Sequence, residues 1–130
     1  MIFVDSSVWI DYFRGNITPQ TDALNILLGK QRVVIGDLIL IEVLQGFRSD
    51  KQFIQAKRLL TSLIIVDLVG QRMAIKAAEN FRTLRLPGIT VRKTIDSMIA
   101  TYCIENNFTL LHCDKDFDAF VKHLGLRSVL

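Results

Sequence analysis

Ile2-Phe3-Val4-Asp5-Ser6-Ser7-Val8-Trp9-Ile10-Asp11 decides the fold class of this chain, because a short apolar run reaches a carboxylate and turns at once into a helical pattern. Met1 to Val4 is apolar, with β-branched residues on either side of an aromatic, as a strand buried on both faces of a parallel sheet requires. Ligands of open α/β sheets bind at the carboxyl ends of the strands, so Asp5 stands where chemistry usually happens. Ser6 or Ser7 is then expected to cap a helix running through Trp9 and Tyr12. Taken alone, Asp5 is equally well a mere capping residue.

Outward from this stretch the chain alternates between strand and helix signals. Arg14-Gly15-Asn16 breaks the first helix, and Thr18-Pro19 opens a second that runs through Leu24, Leu27 and Leu28 to Gly29. Arg32 to Gly36 is a second strand. Asp37 caps a third helix, Leu38 to Phe47, that is apolar nearly all round except at Glu42. Asp50 caps a fourth helix with Phe53, Ala56, Leu59 and Leu60 at helical spacing, and Leu63 to Leu68 is a third strand. Gly70 to Leu86 is a long amphipathic helix stopped by Pro87-Gly88, and a sixth helix runs from Lys93 to Asn106. Phe108 to Cys113 is a fourth strand, Lys115 to Leu124 a last helix closed by Gly125, and Leu126 to Leu130 a fifth strand. This alternation predicts an α/β fold, a three-layer α/β/α sandwich with a central, mostly parallel five-stranded sheet and right-handed crossovers.

The 130 residues are expected to form one domain spanning 1–130, large enough to bury about two-thirds of its unfolded surface. Half of the residues are apolar, yet the longest uncharged apolar runs fall short of the roughly 18 residues of a membrane span. No basic leader with an apolar core precedes Asp5, so the expectation is a cytoplasmic protein with no membrane contact. Cys103 and Cys113 stand in no CxxC or Cys/His spacing and read as reduced, packed thiols. The net charge of +3 is mild. If several acids cluster in one site, however, the remaining surface is more basic than the sum, and a polyanion could be held around an acidic centre.

Three further acids join Asp5. Glu42 sits in a helix apolar on every side, where an unpaired carboxylate would cost several kcal/mol or take up a proton, so it needs a partner; Arg48 or Arg32 would be an ordinary one. Asp96 shares its helical face with Ile99 and Ala100, pointing into packed protein, although Arg92 and Lys93 are near enough to pair with it. Asp114 repeats the geometry of Asp5 at the end of the fourth strand, with Asp116 and Asp118 following within a turn. The topology brings these positions to one cleft, where two full charges about 4 Å apart cost about 4 kcal/mol at an effective dielectric of about 20. Something cationic must separate them. Oxygen ligands without a Cys or His set favour Mg²⁺ or Mn²⁺, one or two ions, and the natural reaction at such a centre is phosphodiester hydrolysis.

These residues also resemble a known family. Val-Asp-Ser-Ser-Val-Trp-Ile-Asp-Tyr-Phe-Arg-Gly, Ile-Glu-Val-Leu-Gln-Gly-Phe, Arg-Lys-Thr-Ile-Asp-Ser-Met-Ile-Ala and Leu-Leu-His-Cys-Asp-Lys-Asp-Phe resemble, nearly end to end, the PIN-domain ribonucleases, and most closely the VapC-type toxins of toxin–antitoxin pairs. The resemblance implies that Asp5, Glu42, Asp96 and Asp114 form the acidic site. Asp5 and Asp96 would be the principal metal ligands, and Asp116 would assist. Ser6 takes the place of a hydroxyl that hydrogen-bonds within the site, and His112 stands where many members carry Thr or Ser. It further implies RNA as substrate, cut to leave a 3′-hydroxyl and a 5′-phosphate, a homodimeric enzyme that inhibits translation, and a small DNA-binding antitoxin that covers the cleft. Trp9, Tyr12, Phe13, Leu44 and Phe47 are the candidates for the antitoxin groove, with core packing as their competing role. Arg14, Arg48, Arg92, Lys93 and Lys115 are the candidates for RNA phosphate contacts.

Two other readings share parts of this pattern. A nuclease acting on DNA or a structured flap would keep the site, but 130 residues leave little room for an added clamp. A phospho-acceptor signalling domain would want paired acids after the first strand, an acceptor Asp after the third and a Lys after the fifth. Here Asp5 is single, Asp67 lies within Ile-Ile-Val-Asp-Leu, and Leu130 is the last residue.

Overall fold

The computed structural model describes residues 1–30 and 32–130. Its sheet is parallel throughout, in the order β3-β2-β1-β4-β5. β1 (Ile2–Val4) is the central strand, with Phe3 and Val4 fully buried as the apolar run demands. On one side lie β2 (Val33–Gly36) and β3 (Ile64–Val66), and on the other β4 (Thr109–Leu111) and β5 (Arg127–Ser128). The chain therefore builds outward from β1 in one direction, then returns to its other side, and the strand order switches between β1 and β4. At such a switch point the connections leave neighbouring strands toward opposite faces and open a crevice at their carboxyl ends. Val4 is in register with Leu111, and the Asp5 amide donates to the Leu111 carbonyl at 3.0 Å, so the register puts Asp5 beside the end of β4.

Among the described residues, seven helices join the strands: α1 (Ser6–Phe13), α2 (Pro19–Leu28), α3 (Asp37–Leu44), α4 (Asp50–Thr61), α5 (Gln71–Arg85), α6 (Thr94–Asn106) and α7 (Asp118–Leu124). The strands are shorter than their apolar runs suggest. Flanking positions such as Leu68 lie outside the paired strands and are buried in the core. The last expected helix divides, because Lys115–Phe117 forms a single 3₁₀ turn before α7. α3 ends at Leu44 rather than Phe47, and it is not buried all round, since Ile41 is 56 % exposed. Among the described residues, no helix is long and apolar enough to cross a membrane.

Three expected caps differ from the sequence reading. Asp5 is itself the N-cap of α1, in place of Ser6 or Ser7. Ser49 rather than Asp50 caps α4, its hydroxyl accepting from the Gln52 amide at 3.3 Å. Gly36 occupies the cap position of α3, which frees Asp37 for another task. Its Oδ1 accepts from the Leu38 amide at 2.9 Å and from the Leu68 amide at 3.1 Å, tying the first turn of α3 to the chain leaving β3. Removing that acceptor leaves the amide of fully buried Leu68 unpaired, which costs about 1–2 kcal/mol. Asp37→Ala is thus expected to lower the free energy of unfolding by that amount and Asp37→Asn by distinctly less; equal losses in urea unfolding would contradict the assignment.

Candidate metal centre

Asp5 is nearly buried, and as the α1 cap its Oδ2 accepts from the Ser7 amide at 3.4 Å and the Ser7 hydroxyl at 2.6 Å. Both bonds fall on the same oxygen, so capping engages one side of the carboxylate. The hydroxyl that meets Asp5 therefore belongs to Ser7, not to the expected Ser6. Ser7 Oγ in turn lies 3.3 Å from the thiol of Cys113, which is exposed rather than packed as expected.

α6 begins directly after Lys93 and places Asp96 in its first turn, 3 % exposed, where the helix dipole favours an anion. Asp96 Oδ2 is buried without a hydrogen bond and lies 3.7 Å from Lys93 Nζ. Burial pushes this carboxyl up to about 6; Lys93 opposes the rise, while Asp114, Asp5 and Asp116 add to it. Glu42 behaves alike. Its Oε1 is buried and unpaired, and burial followed by the charge of Asp5 raises its pKa against the pull of Lys93. Among the described residues, no Arg pairs with it.

Asp114 is the opposite case. Its Oδ1 accepts from the Asp116 amide at 2.9 Å, capping the 3₁₀ turn, and its Oδ2 accepts from Lys93 Nζ at 3.0 Å. Burial alone would raise its pKa, but those two hydrogen bonds and the nearby positive charges outweigh it and hold the group below its usual range. Arg92 donates to both oxygens of Asp116 at 3.1 and 3.2 Å. Carboxylate oxygens of Asp96, Asp114 and Asp116 lie within 4.8 Å of one another, so Asp116 belongs to the tightest group. Asp5 adjoins it, its charge raising the pKa of both Asp96 and Glu42. Hard oxygen donors, two of them buried without partners, suit a divalent cation such as Mg²⁺.

His112 is engaged at both nitrogens. Nδ1 accepts from the Asp114 amide at 3.3 Å, which leaves the proton on Nε2, 3.2 Å from Ser128 Oγ. The ring thus anchors the backbone of Asp114 to β5, a task a Thr or Ser at this position could not perform across the same span.

Beside Glu42 opens a groove of about 500 Å³ between α1, α3 and the start of α4. Of the groove candidates Phe13 and Phe47 line it, together with the phosphate-contact candidates Arg14 and Arg48 and with Ile10, Val43, Gly46, Ser49 and Gln52. Trp9 does not, because it is fully buried beneath, stacked on Phe13 at 6.0 Å between ring centroids. Tyr12 packs edge-on against both rings, and neither it nor Leu44 reaches the groove wall. Ile10 and Val43 escaped the sequence reading because aliphatic residues at helical spacing signal core whichever side they face. Lys115 is exposed on the 3₁₀ turn.

The structure is thus a parallel α/β domain whose carboxyl edge gathers Asp96, Asp114 and Asp116 into a cluster that could hold a hard metal ion. Comparison with known proteins makes the class specific: a family model described as PIN domain matches residues 2–122. A VapC ribonuclease of Mycobacterium bovis and ribonuclease VapC11 of Mycobacterium tuberculosis are each 31 % identical to it over 98 % of this chain and 97 % of their own. The chain belongs to the PIN-domain family. Among solved structures, VapBC2 from Rickettsia felis bound to a promoter DNA fragment superposes with a TM-score of 0.73 at 19 % identity, covering 98 % of this chain and 97 % of that one. The sarcin–ricin-loop-cleaving toxin VapC20 of M. tuberculosis gives 0.64 at 19 % identity over 92 % and 94 %. These likenesses establish the common fold.

The raised pKa of Asp96 has a consequence for stability. Between its ordinary value of 3.8 and about 6 the folded chain holds a proton that the unfolded chain has released, so this group lowers stability as pH rises through that window. In metal-free protein, Asp96→Asn should raise the melting temperature by a few degrees near pH 8, with the gain vanishing near pH 4, as followed by circular dichroism. A gain of equal size at both pH values would contradict burial as the cause.

Proposed function

We propose that this protein is a Mg²⁺-dependent endoribonuclease and the toxin of a two-component toxin–antitoxin module, inhibiting translation by cutting RNA. The observation that carries the reading is the cluster of Asp96, Asp114 and Asp116, whose carboxylate oxygens lie within 4.8 Å of one another, with Asp96 Oδ2 buried and free of hydrogen bonds. The names of the relatives, ribonucleases across nearly their full length, support it.

Asp5, Asp96, Asp114 and Glu42 would hold one or two Mg²⁺ ions, with Mn²⁺ able to substitute, and Asp116 would assist. Such an ion supplies charge stabilisation at the phosphoryl group and a more acidic water. Ser7 bonds the Asp5 carboxylate. Glu42 or Asp114 would orient the attacking water. Water adds to phosphorus as the 3′ oxygen leaves, so the products carry a 3′-hydroxyl and a 5′-phosphate. Arg14 and Arg48 border the groove next to Glu42 and would hold the phosphates flanking the scissile bond, with Arg92, Lys93 and Lys115 at the other rim. Phe13 and Phe47, edge-on at 5.5 Å, offer an apolar seat for a segment of the cognate antitoxin, a small DNA-binding protein. Antitoxin complexes among the structural neighbours agree with such a partner, and a homodimer is the expected assembly.

Asp5→Asn and Asp96→Asn should each reduce Mg²⁺-dependent cleavage of a single-stranded oligoribonucleotide more than about 100-fold and remove toxicity on induction. Unaltered cleavage in either variant, or full activity in EDTA, would refute the reading, and preferential cleavage of the DNA counterpart would move the substrate class. Arg14→Ala and Arg48→Ala should each weaken RNA binding and lower the salt dependence by about one ion, while leaving turnover of bound RNA nearly unchanged. Filter binding over a salt series gives the slope; an unchanged slope would remove them as phosphate contacts.

A further inference from the structure

Among the described residues, all of the ion pairs closer than 4.0 Å lie in this one cleft, and they are made by the adjacent residues Arg92 and Lys93. The two do different work. Arg92 grips Asp116 alone through one nitrogen and is 78 % exposed at its side chain, so it sits on the rim. Lys93 reaches inward. From the N-cap of α6 its ammonium lies 3.0 Å from Asp114 Oδ2 and 3.7 Å from Asp96 Oδ2, bridging acids delivered by two different elements.

That bridging position is the one the acids' repulsion assigns to a cation, and here the chain supplies the cation itself. The side chain is about half exposed, so its two contacts with carboxylates, rather than packing, keep it there. A lysine ammonium is a compact point charge on a flexible four-carbon stem, able to leave as a unit without breaking a bidentate fork. A divalent ion offers the same carboxylates twice the charge.

We propose that Lys93 is a built-in competitor for the metal: its ammonium bridges Asp96 and Asp114 until a divalent ion displaces it toward the rim of the cleft. The inference rests on the metal-dependent reading above. Lys93 then has two settings. Over the acids it relieves their repulsion and keeps metal-free protein folded; at the rim its charge is available to an RNA phosphate. Metal affinity in the absence of RNA is accordingly lower than four or five carboxylates would otherwise give. Because each ligand favours the same displaced position, metal and RNA favour one another.

The test is Mn²⁺ affinity, read from the electron paramagnetic resonance signal of the free ion, for the wild type, Lys93→Met, Lys93→Arg and Asp96→Asn. Lys93→Met should bind Mn²⁺ about tenfold more tightly than the wild type, from the loss of one positive charge roughly 4 Å from the ion's ligands. Lys93→Arg should stay within about threefold of the wild type, and Asp96→Asn should bind weakly. Circular dichroism establishes that each variant is folded. In parallel, trace acetylation of the wild type, mapped by mass spectrometry, should modify Lys93 faster at saturating Mg²⁺ while surface lysines such as Lys57 are unaffected. Equal or weaker Mn²⁺ binding by Lys93→Met, or Lys93 acetylation indifferent to Mg²⁺, overturns the competitor while wild-type binding lost in Asp96→Asn leaves the metal reading standing. Absence of Mn²⁺ binding in both the wild type and Lys93→Met overturns the two together.

Discussion

Carboxylates crowded into a half-dry crevice repel one another, and the carboxyl edge of this sheet is arranged around containing that repulsion. Asp5 spends one oxygen on a helix cap, Asp114 takes an amide and an ammonium, and Asp116 takes a guanidinium. Glu42 and Asp96 accept no hydrogen bond, and although the charge of Lys93 opposes the rise, burial raises the proton affinity of both. The five acids therefore fall into two kinds. Three accept hydrogen bonds from the chain, and two carry a buried oxygen that accepts none. A buried carboxylate without a partner is costly to a fold, so its persistence in a well-packed core marks the place where stability yields to another requirement.

Much of this was legible in the sequence. Apolar runs ending in Asp5 and Asp114 gave the parallel sheet and its active edge, and acids on otherwise apolar helical faces exposed Glu42 and Asp96. What the sequence could not resolve was the division of labour between neighbours one or two positions apart. Ser6 and Ser7 differ by one step along a helix, about 100° of rotation, and only the fold determines which hydroxyl turns toward Asp5. Asp37 and Asp50 looked like caps because an acid before an apolar helix usually is one. In the structure Gly36 and Ser49 hold those positions, each one residue earlier. The groove was half legible for a related reason: Trp9 and Phe13 lie on one helical stripe, yet a full helical turn separates a residue under the wall from one on it.

His112 joins the two halves of the edge in a way no motif announces. Its ring links the amide of Asp114 to Ser128 on the outermost strand, so a two-residue strand with little pairing of its own helps to position a carboxylate in the centre. The ring also packs on Phe117, at 4.9 Å between centroids, which carries the same restraint into the buried layer. Placement of the acids is thus a property of the whole carboxyl edge, from β5 across to α3.

The double duty of Asp5 bears on how the lineage of such a protein can be read. A descendant that lost its chemistry would still gain from an aspartate at the end of the first strand, because that side chain starts α1 and fastens it to Ser7. Drift would erase Glu42 and Asp96 first, since neither makes a hydrogen bond the architecture needs. In comparing distant cousins, the first aspartate is accordingly a witness to shared scaffolding. On the proposed function, the two unbonded acids are the witnesses to a living enzyme.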